Sequence, residues 1–307
     1  MSRLLTFKHA FKCMFKSIYP DMKCFHIYEI IILFILFSLV ISFSVIDFNV
    51  LIHENNNKNV SLIGFTTCIN EGNSQWQCSI MTLSGVASFT GIMAVILTSK
   101  RKISTFFWGI INNFVLGLFA FSYGYAGNAQ IYIFFATPLQ FIGLFMWYNA
   151  NQTNQTNQTD QTNQTNGQID INIEVKKLSW LKRLIYLIIF LVIGVCFYFE
   201  IPAFSKALTG VYPYETKIVP HILDAVSNSA IIMGNVLMLV QCIEQWPVWF
   251  LLDCIVITMY SGIGNEPDFN ILLMACVYLL NSLYGFALWF KIYMKQNQQI
   301  QMTSTTV

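Results

Sequence analysis

Long runs of apolar residues alternate with short polar stretches along most of this 307-residue chain. Eight of these runs approach the roughly 20 residues that a helix needs to cross about 30 Å of hydrocarbon. They lie at 27–48, 79–98, 104–123, 130–148, 184–204, 221–242, 246–262 and 270–290. The pattern predicts an all-α membrane protein with eight transmembrane helices, of which the seventh is the shortest.

The composition favours the same fold class. Hydrophobic residues make up 55% of the chain and charged residues only 10%, whereas a soluble domain carries about 25% charged residues. The sequence shows no soluble output domain typical of a receptor. It also shows no nucleophile, metal-ligand set or acid pair at membrane depth that an enzyme would need. We therefore expect no enzymatic activity, no cofactor, no bound metal and no nucleic-acid partner.

The positions of the cations predict the orientation in the membrane. With eight spans and a cytoplasmic N-terminus, 14 of the 17 Lys and Arg residues fall on the cytoplasmic side. The other three, Lys58, Lys206 and Lys217, fall outside. We therefore predict a multi-pass protein of the plasma membrane, the inner membrane of a bacterium, with both termini in the cytoplasm.

Spans and loops divide the chain into seven segments. They are a cytoplasmic amphipathic segment (1–26), an extra span with an outer loop (27–78), a first three-helix group (79–148), a disordered cytoplasmic linker (149–182), a connecting span with an outer loop (183–220), a second three-helix group (221–292) and a cytoplasmic tail (293–307). The linker is assigned from its Asn-Gln-Thr repeats, which have too few apolar residues to pack. Cys68 and Cys78 share the first outer loop, where they either remain thiols or form a disulfide in an oxidising compartment.

The two three-helix groups share a sequence pattern. The Trp-x-x-x-Asn/Asp pattern from Trp108 to Asn112 recurs 141 residues later, from Trp249 to Asp253. A Gly-x-x-x-Trp pattern also ends both groups. Because three spans and one connecting span return the chain to the same side, both groups have the same orientation, which predicts a 3+1+3 parallel repeat with one extra N-terminal span. A solute site is then expected between the groups, near the middle of the membrane.

The segment that opens the seventh span is the main candidate for that site. Trp249 and Asp253 lie one turn apart on one helix face, and Trp246 extends the same stripe. A carboxylate in an apolar helix usually faces the bundle interior or a wet cavity. A flat aromatic ring beside a buried acceptor suits a heteroaromatic solute that carries hydroxyl groups. Trp246 fits an interfacial aromatic belt equally well, and Asp253 also fits a structural hydrogen-bond partner.

The first group supplies the remaining candidates. Asn112 and Trp108 occupy the positions equivalent to Asp253 and Trp249, although Asn112 fits an interhelical hydrogen bond equally well. Gln140 is a further candidate, for which packing or pore lining is the simpler role. The predicted substrate-binding residues are Trp246, Trp249, Asp253, Asn112, Trp108 and Gln140.

The Trp246-x-x-Trp249-x-x-x-Asp253 pattern resembles the Trp-x-x-Trp-x-x-x-Asn/Asp motif of the PnuC family of vitamin transporters, and the similarity covers about residues 80–292. The resemblance implies the architecture of the SWEET sugar transporters, with three helices, a connector and three helices. It implies facilitated diffusion of nicotinamide riboside, or of thiamine or riboflavin, with trapping by a cytoplasmic vitamin kinase. It also implies that the motif aromatics pack the ring and that Asp253 bonds the solute.

A proton-coupled nucleoside carrier is the nearest alternative class. His221 and Asp224 could form a coupling pair at the outer start of the sixth span, although an acid at a helix N-terminus is the simpler interpretation. No Gly-x-x-x-x-Gly-Lys-Ser/Thr loop for ATP is present. The expected partners are a small vitamin or nucleoside and the lipid bilayer, and the sequence leaves open whether the chain forms a homo-oligomer.

Overall fold

The structure is a computed structural model that describes residues 2–46, 63–70, 72, 74–122, 126–157, 174–210, 218–261 and 268–305. Four helices come first: α1 (Ser2–Lys23), α2 (Ile27–Val45), α3 (Gly64–Asn70) and α4 (Gln75–Met81). The first group contains α5 (Ser84–Ser99), α6 (Thr105–Ser122) and a long helix made of α7 (Ala126–Gln130), a π-helical turn (Ile131–Ala136) and α8 (Thr137–Asn157). After the connecting helix α9 (Trp180–Thr209), the second group contains α10 (Ile218–Leu239), α11 (Gln245–Tyr260) and α12 (Phe269–Thr305).

Seven helical stretches in the described part of the chain are long and apolar enough to cross a membrane. They are Ile27–Val45, Gln75–Ser99, Thr105–Ser122, Gly127–Ala150, Trp180–Leu208, Ile218–Leu239 and Phe269–Gln298. α11 is also apolar, but its 16 residues make it shorter than these seven. The chain is therefore an all-α, multi-pass membrane protein, and seven of the eight apolar runs of the sequence coincide with its long helices, whereas the run at 246–262 coincides with the shorter α11.

The two groups meet along two helix pairs, in which α5 packs on α12, and α10 packs on α8 and the π-helical turn. In the first pair, Asn281 Nδ2 donates a hydrogen bond to the Val95 carbonyl (3.1 Å). In the second, Gln140 Nε2 donates to Asn235 Oδ1 (3.4 Å). Lipid tails are as apolar as leucine, so buried polar contacts of this kind help to select which helices associate.

The predicted linker is more ordered than the sequence indicates. α8 continues to Asn157, and residues 174–179 lie against the turn between α10 and α11. There the Lys176 N–H donates to the Gln241 carbonyl (3.0 Å), and the Lys176 carbonyl accepts from the Ile243 N–H (2.9 Å). Backbone pairing offsets the entropy lost on ordering this segment. The prediction of disorder from 149 to 182 is therefore wrong at both ends, and 158–173 lies outside the described residues.

On the same side of the molecule, an ion pair joins α9 to α11, and the last helix is longer than predicted. The Arg183 guanidinium lies 2.8 Å from the Glu244 carboxylate, whose Oε1 also accepts from the Leu178 N–H (3.1 Å). These contacts fix the start of α9 to the start of α11. α12 continues to Thr305, so the predicted tail from 293 is helical where the structure describes it.

On the opposite side, Cys68 of α3 and Cys78 of α4 form a disulfide. The sequence had left this pairing open. Residues 49–62 of the predicted outer loop lie outside the described residues.

Candidate functional site

A cavity of about 110 Å³ lies between the two groups. The first group lines it through α5, α6, the π-helical turn and α8, and the second through α10, α11 and α12. Its polar lining residues are Thr98, Thr105, Asn112, Asn113, Tyr132, Gln140, Asn235, Asp253, Tyr278, Asn281 and Ser282. No Lys, Arg or His belongs to the wall as the structure describes it. Five of the six predicted site residues line this cavity, and Trp108 does not.

Trp246 lies at one end of α11 in the interior of the bundle. Its side chain is 3% exposed and meets Trp289 edge to face, with ring centroids 5.7 Å apart. Gly285 of α12 allows this approach, because a Cβ there would overlap the Trp246 ring. The indole Nε1 of Trp246 is buried without an acceptor in the described part of the chain. A belt tryptophan would face lipid, so the burial of Trp246 favours the site interpretation over the belt.

Trp249 lies one turn further along α11 and faces α10. A Cβ at Gly234 would come within 2.9 Å of its ring atoms. The indole therefore packs directly on the α10 backbone, which only glycine at this position allows without displacement.

Asp253 is the acid of the cavity wall and is 2% exposed. The Ser282 hydroxyl of α12 donates a hydrogen bond to its Oδ2 (2.8 Å). None of the described residues donates to its other oxygen, Oδ1. A buried carboxylate with an open acceptor can bind a hydroxyl, an amide N–H or a cationic ring.

Asn112 and Asp253 face the same cavity from α6 and α11. Asn112 also makes the interhelical bond that the sequence allowed, because its Nδ2 donates to the Ala87 carbonyl of α5 (2.7 Å). The absence of a Cβ at Gly91 leaves room for both the Asn112 amide and the Tyr278 hydroxyl. Asn112 therefore has a structural bond and a place on the wall.

Gln140 lines the cavity close to α6. Its Oε1 would lie 2.7 Å from a Cβ at Gly109. Its Nε2 donates to Asn235, so the amide bridges α8 and α10 across the boundary between the groups. Gln140 therefore makes a packing contact between helices and also lines the cavity.

Trp108 is placed differently from its sequence equivalent. Its ring meets Phe89 edge to face at 6.0 Å between centroids, in a cluster with Phe25, Met93 and Leu97. Met93 occupies the position 141 residues before Gly234. The first group therefore has a side chain where the second leaves room for an indole.

Tyr132, Tyr278 and Ser282 line the cavity and were not among the sequence candidates. Tyr278 and Ser282 are four residues apart, so they share one face of α12. Polar groups on one face of an apolar span could have pointed to these residues in the sequence. That pattern does not by itself identify which neighbouring helix the face meets.

A model of the family described as nicotinamide mononucleotide transporter matches residues 81–291. This region holds both helix groups and α9, and it leaves out α1 and α2.

Two curated relatives match over similar lengths. The nicotinamide riboside transporter PnuC of Neisseria mucosa is 25% identical over 221 residues, which cover 71% of this chain and 75% of the relative. The nicotinamide riboside transporter PnuC of Haemophilus influenzae is 27% identical over 216 residues, which cover 70% and 82%.

One crystal structure, that of the vitamin B3 transporter PnuC, superposes with a TM-score of 0.56 at 19% identity. The superposition covers 88% of this chain and 94% of that chain. The two proteins therefore share a fold.

Proposed function

Because this chain belongs to the nicotinamide mononucleotide transporter family, with residues 81–291 matched, we propose that it carries nicotinamide riboside across the membrane. Two relatives with the name nicotinamide riboside transporter support this solute. The transport mode we propose is facilitated diffusion, with the solute trapped inside by a cytoplasmic kinase that phosphorylates it.

The charge on the cavity wall is the observation that carries the proposal. The mononucleotide bears a phosphate that the riboside lacks, and proteins hold phosphates with Arg, Lys or helix N-termini. The described wall offers the carboxyl group of Asp253 and no Lys, Arg or His. A carboxylate repels a phosphate and attracts a pyridinium ring. The cavity therefore favours the riboside over the mononucleotide.

The residues of the wall suit the parts of this solute. A pyridinium ring beside Trp249 would gain cation–π attraction of about 2 kcal/mol or more when desolvated. The open Nε1 of Trp246 is a donor for the carboxamide oxygen. Asp253 and Asn112 are acceptors for ribose hydroxyls, and Gln140 holds the two groups together beside them.

For the architecture we propose eight spans, the seven long helices and the shorter α11, which is the seventh in chain order, arranged as a 3+1+3 parallel repeat after the N-terminal span α2. The helix pairing supports this, because the first helix of each group packs on the last helix of the other. The solute site then lies between equivalent halves, where rocking of one half against the other would open it to either side.

We further propose that both termini lie in the cytoplasm and that the membrane is the bacterial inner membrane. The bias of Lys and Arg towards one side supports this orientation. The disulfide between Cys68 and Cys78 lies one span away from the N-terminus, on the side proposed to be outside, where oxidising conditions allow it.

Uptake by purified protein in proteoliposomes tests the proposal. We expect labelled nicotinamide riboside to equilibrate across the membrane, and the unlabelled riboside to compete far better than the mononucleotide, thiamine or riboflavin. A pH gradient should not change the final level, and an enclosed riboside kinase with ATP should raise it. Equal competition by the mononucleotide would refute the charge argument. Accumulation driven by the pH gradient would establish the proton-coupled alternative.

A further inference from the structure

α1 precedes the region that the family model matches, and one of its faces is built into the bundle. Ala10 and Met14, with 0% and 1% exposure, belong to the same core cluster as Trp147, Trp246 and Trp289. α1 therefore packs where the two groups close against each other, on the side proposed to be cytoplasmic.

A buried polar contact fixes the end of the same face. Ser104 directly precedes α6, and its hydroxyl donates a hydrogen bond to Asp21 Oδ2 (2.6 Å). Asp21 is 6% exposed. A carboxylate at a helix N-terminus is favoured by the helix dipole, so this contact joins α1 to α6.

The opposite face of α1 is a row of lysines. Lys8, Lys12 and Lys16 follow one another at a spacing of four, so they lie on one side of the helix, and all three are exposed. Within the part of the chain that the structure describes, none of them has a carboxylate partner. Their charges are therefore open to an external anion.

A row of aromatic side chains lies between the lysines and the buried face. Phe7, Phe11 and Phe15 each directly precede one of the lysines, and successive helix residues are about 100° apart. Phe11 stacks on Phe141 of α8, with ring centroids 6.5 Å apart, and Phe15 is 48% exposed. Aromatic rings beside lysines on one helix are typical of a segment that lies in the membrane–water interface.

We propose that Lys8, Lys12 and Lys16 form a binding surface for anionic phospholipid headgroups of the inner leaflet, which holds α1 against the closed end of the bundle. A positive-inside topology signal requires only that the lysines lie on the cytoplasmic side. Such a signal does not require that the lysines share one helix face, that they lack carboxylate partners among the described residues, or that aromatic rings flank them. Charge complementarity identifies the occupant as an anionic headgroup, since headgroups at the proposed depth of α1 lie beside its aromatic row.

Hydrogen exchange of α1 in lipid nanodiscs tests this binding surface directly. The full chain is placed in discs of phosphatidylcholine, alone or mixed with phosphatidylglycerol. We expect amides of residues 8–20 to exchange about tenfold more slowly in the anionic discs, and high salt to remove most of the difference. Free inorganic phosphate added to the neutral discs should not reproduce it.

Three variants separate headgroup binding from general effects of charge. Replacing all three lysines by glutamine (K8Q, K12Q, K16Q) should abolish the lipid dependence, and replacing them by arginine should preserve it. The control K291Q with K295Q removes two exposed cations of α12 and should leave exchange in α1 unchanged. Equal exchange of wild-type α1 in both lipids, or a lipid dependence that survives the glutamine changes, would overturn the proposal. The measurement needs no solute, so its outcome is independent of the proposed transport activity.

Discussion

Trp147 and Trp289 occupy matching roles, because the indole N–H of each donates a hydrogen bond to a backbone carbonyl of the other helix group. Trp147 Nε1 at the end of the first group donates to the Met238 carbonyl of α10 (3.4 Å). Trp289 Nε1 in the second group donates to the Ser99 carbonyl of α5 (3.3 Å). The last carbonyls of a helix have no partner within the helix. The last helix of each group therefore donates a hydrogen bond to a carbonyl at the C-terminal end of the first helix of the other.

The turns that follow these two helix ends also match. Arg101 and Gln241, 140 residues apart, adopt left-handed backbone conformations with φ of 58° and 62°. In each turn the next N–H donates to the carbonyl five residues earlier, at 2.9 Å for Lys102 and 3.0 Å for Cys242. This is the hydrogen bond of a Schellman helix end. The agreement supports the proposed repeat at the level of individual backbone bonds.

We expect Trp147→Phe and Trp289→Phe to destabilise the protein to a similar extent. Each change removes a buried hydrogen bond of about 1 kcal/mol and leaves a void where both side chains are now fully buried. A total loss of about 2–4 kcal/mol would lower the unfolding temperature by roughly 5–10 °C. Thermal unfolding in detergent measures this.

The matched control for the tryptophan variants is Trp180→Phe, because Trp180 is 79% exposed at the start of α9. This change should leave the unfolding temperature almost unaltered. If only one of the two buried tryptophans proved important, their contacts would not be energetically equivalent and the repeat would lose this support.

The carboxylate of Asp253 should discriminate between charged and neutral forms of the ring. We expect Asp253→Asn to weaken binding of nicotinamide riboside roughly 10- to 100-fold, since a hydrogen bond or contact with a charged group contributes about 1.5–3 kcal/mol. Binding of dihydronicotinamide riboside, which lacks the pyridinium charge, should change little. Calorimetry with both ligands provides the comparison.

Ser282→Ala is a milder substitution at the same site. It removes the hydroxyl that holds Asp253 Oδ2 but keeps the carboxylate, so we expect riboside binding to weaken only about threefold. If Asp253→Asn weakened both ligands equally, Asp253 would serve as a hydrogen-bond acceptor without a role in charge selection.

The contrast between Trp108 and Trp249 shows what the sequence could and could not predict. Apolar length predicted the seven long helices, and the Trp-x-x-x-Asn/Asp pattern pointed to Asn112, Trp249 and Asp253 of the cavity wall, because these signals are local. The partner of each indole is 15 residues earlier in its own group, on another helix. There Gly234 admits Trp249, whereas Met93 packs with Trp108 in a separate cluster. Recognising that difference requires knowledge of which helix faces meet.

The π-helical turn could not be predicted from the sequence either. The Thr137 hydroxyl donates to the Tyr132 carbonyl five residues earlier (2.8 Å), in a helix whose apolar pattern is otherwise continuous. This turn carries Tyr132 of the cavity wall. π-Helical turns are frequent at functional sites, but a single sequence gives no periodic signal for one inserted residue.

We expect Gly234→Ala to impair solute binding without unfolding the protein. The added Cβ would lie 2.9 Å from the Trp249 ring, which must move by several tenths of an ångström out of its place on the cavity wall. We expect riboside affinity to fall by up to about tenfold, since a well-placed aromatic contact contributes about 0.5–1.5 kcal/mol. Tryptophan fluorescence and calorimetry measure the displacement and the affinity.

Gly194→Ala is the matched control for that substitution. Gly194 lies in α9, and a Cβ there would meet Ser229 at 3.9 Å, an ordinary van der Waals distance. Affinity should stay within about twofold of wild type, which is less than 0.5 kcal/mol. If both glycine variants bound the solute normally, the position of Trp249 would not limit binding.

The orientation predicts which exposed positions an impermeant thiol reagent can reach in intact cells. We expect Ala207→Cys, near the end of α9, to react from outside, and Lys295→Cys, near the end of α12, to react only after permeabilisation, because both positions are exposed but lie on opposite sides. Burial raises the pKa of the native Cys242 thiol to about 11. Little of that thiol is therefore ionised at neutral pH, so it contributes little background reaction. Reaction of Lys295→Cys from outside would reverse the proposed orientation, and with it the assignment of the α1 surface to the inner leaflet.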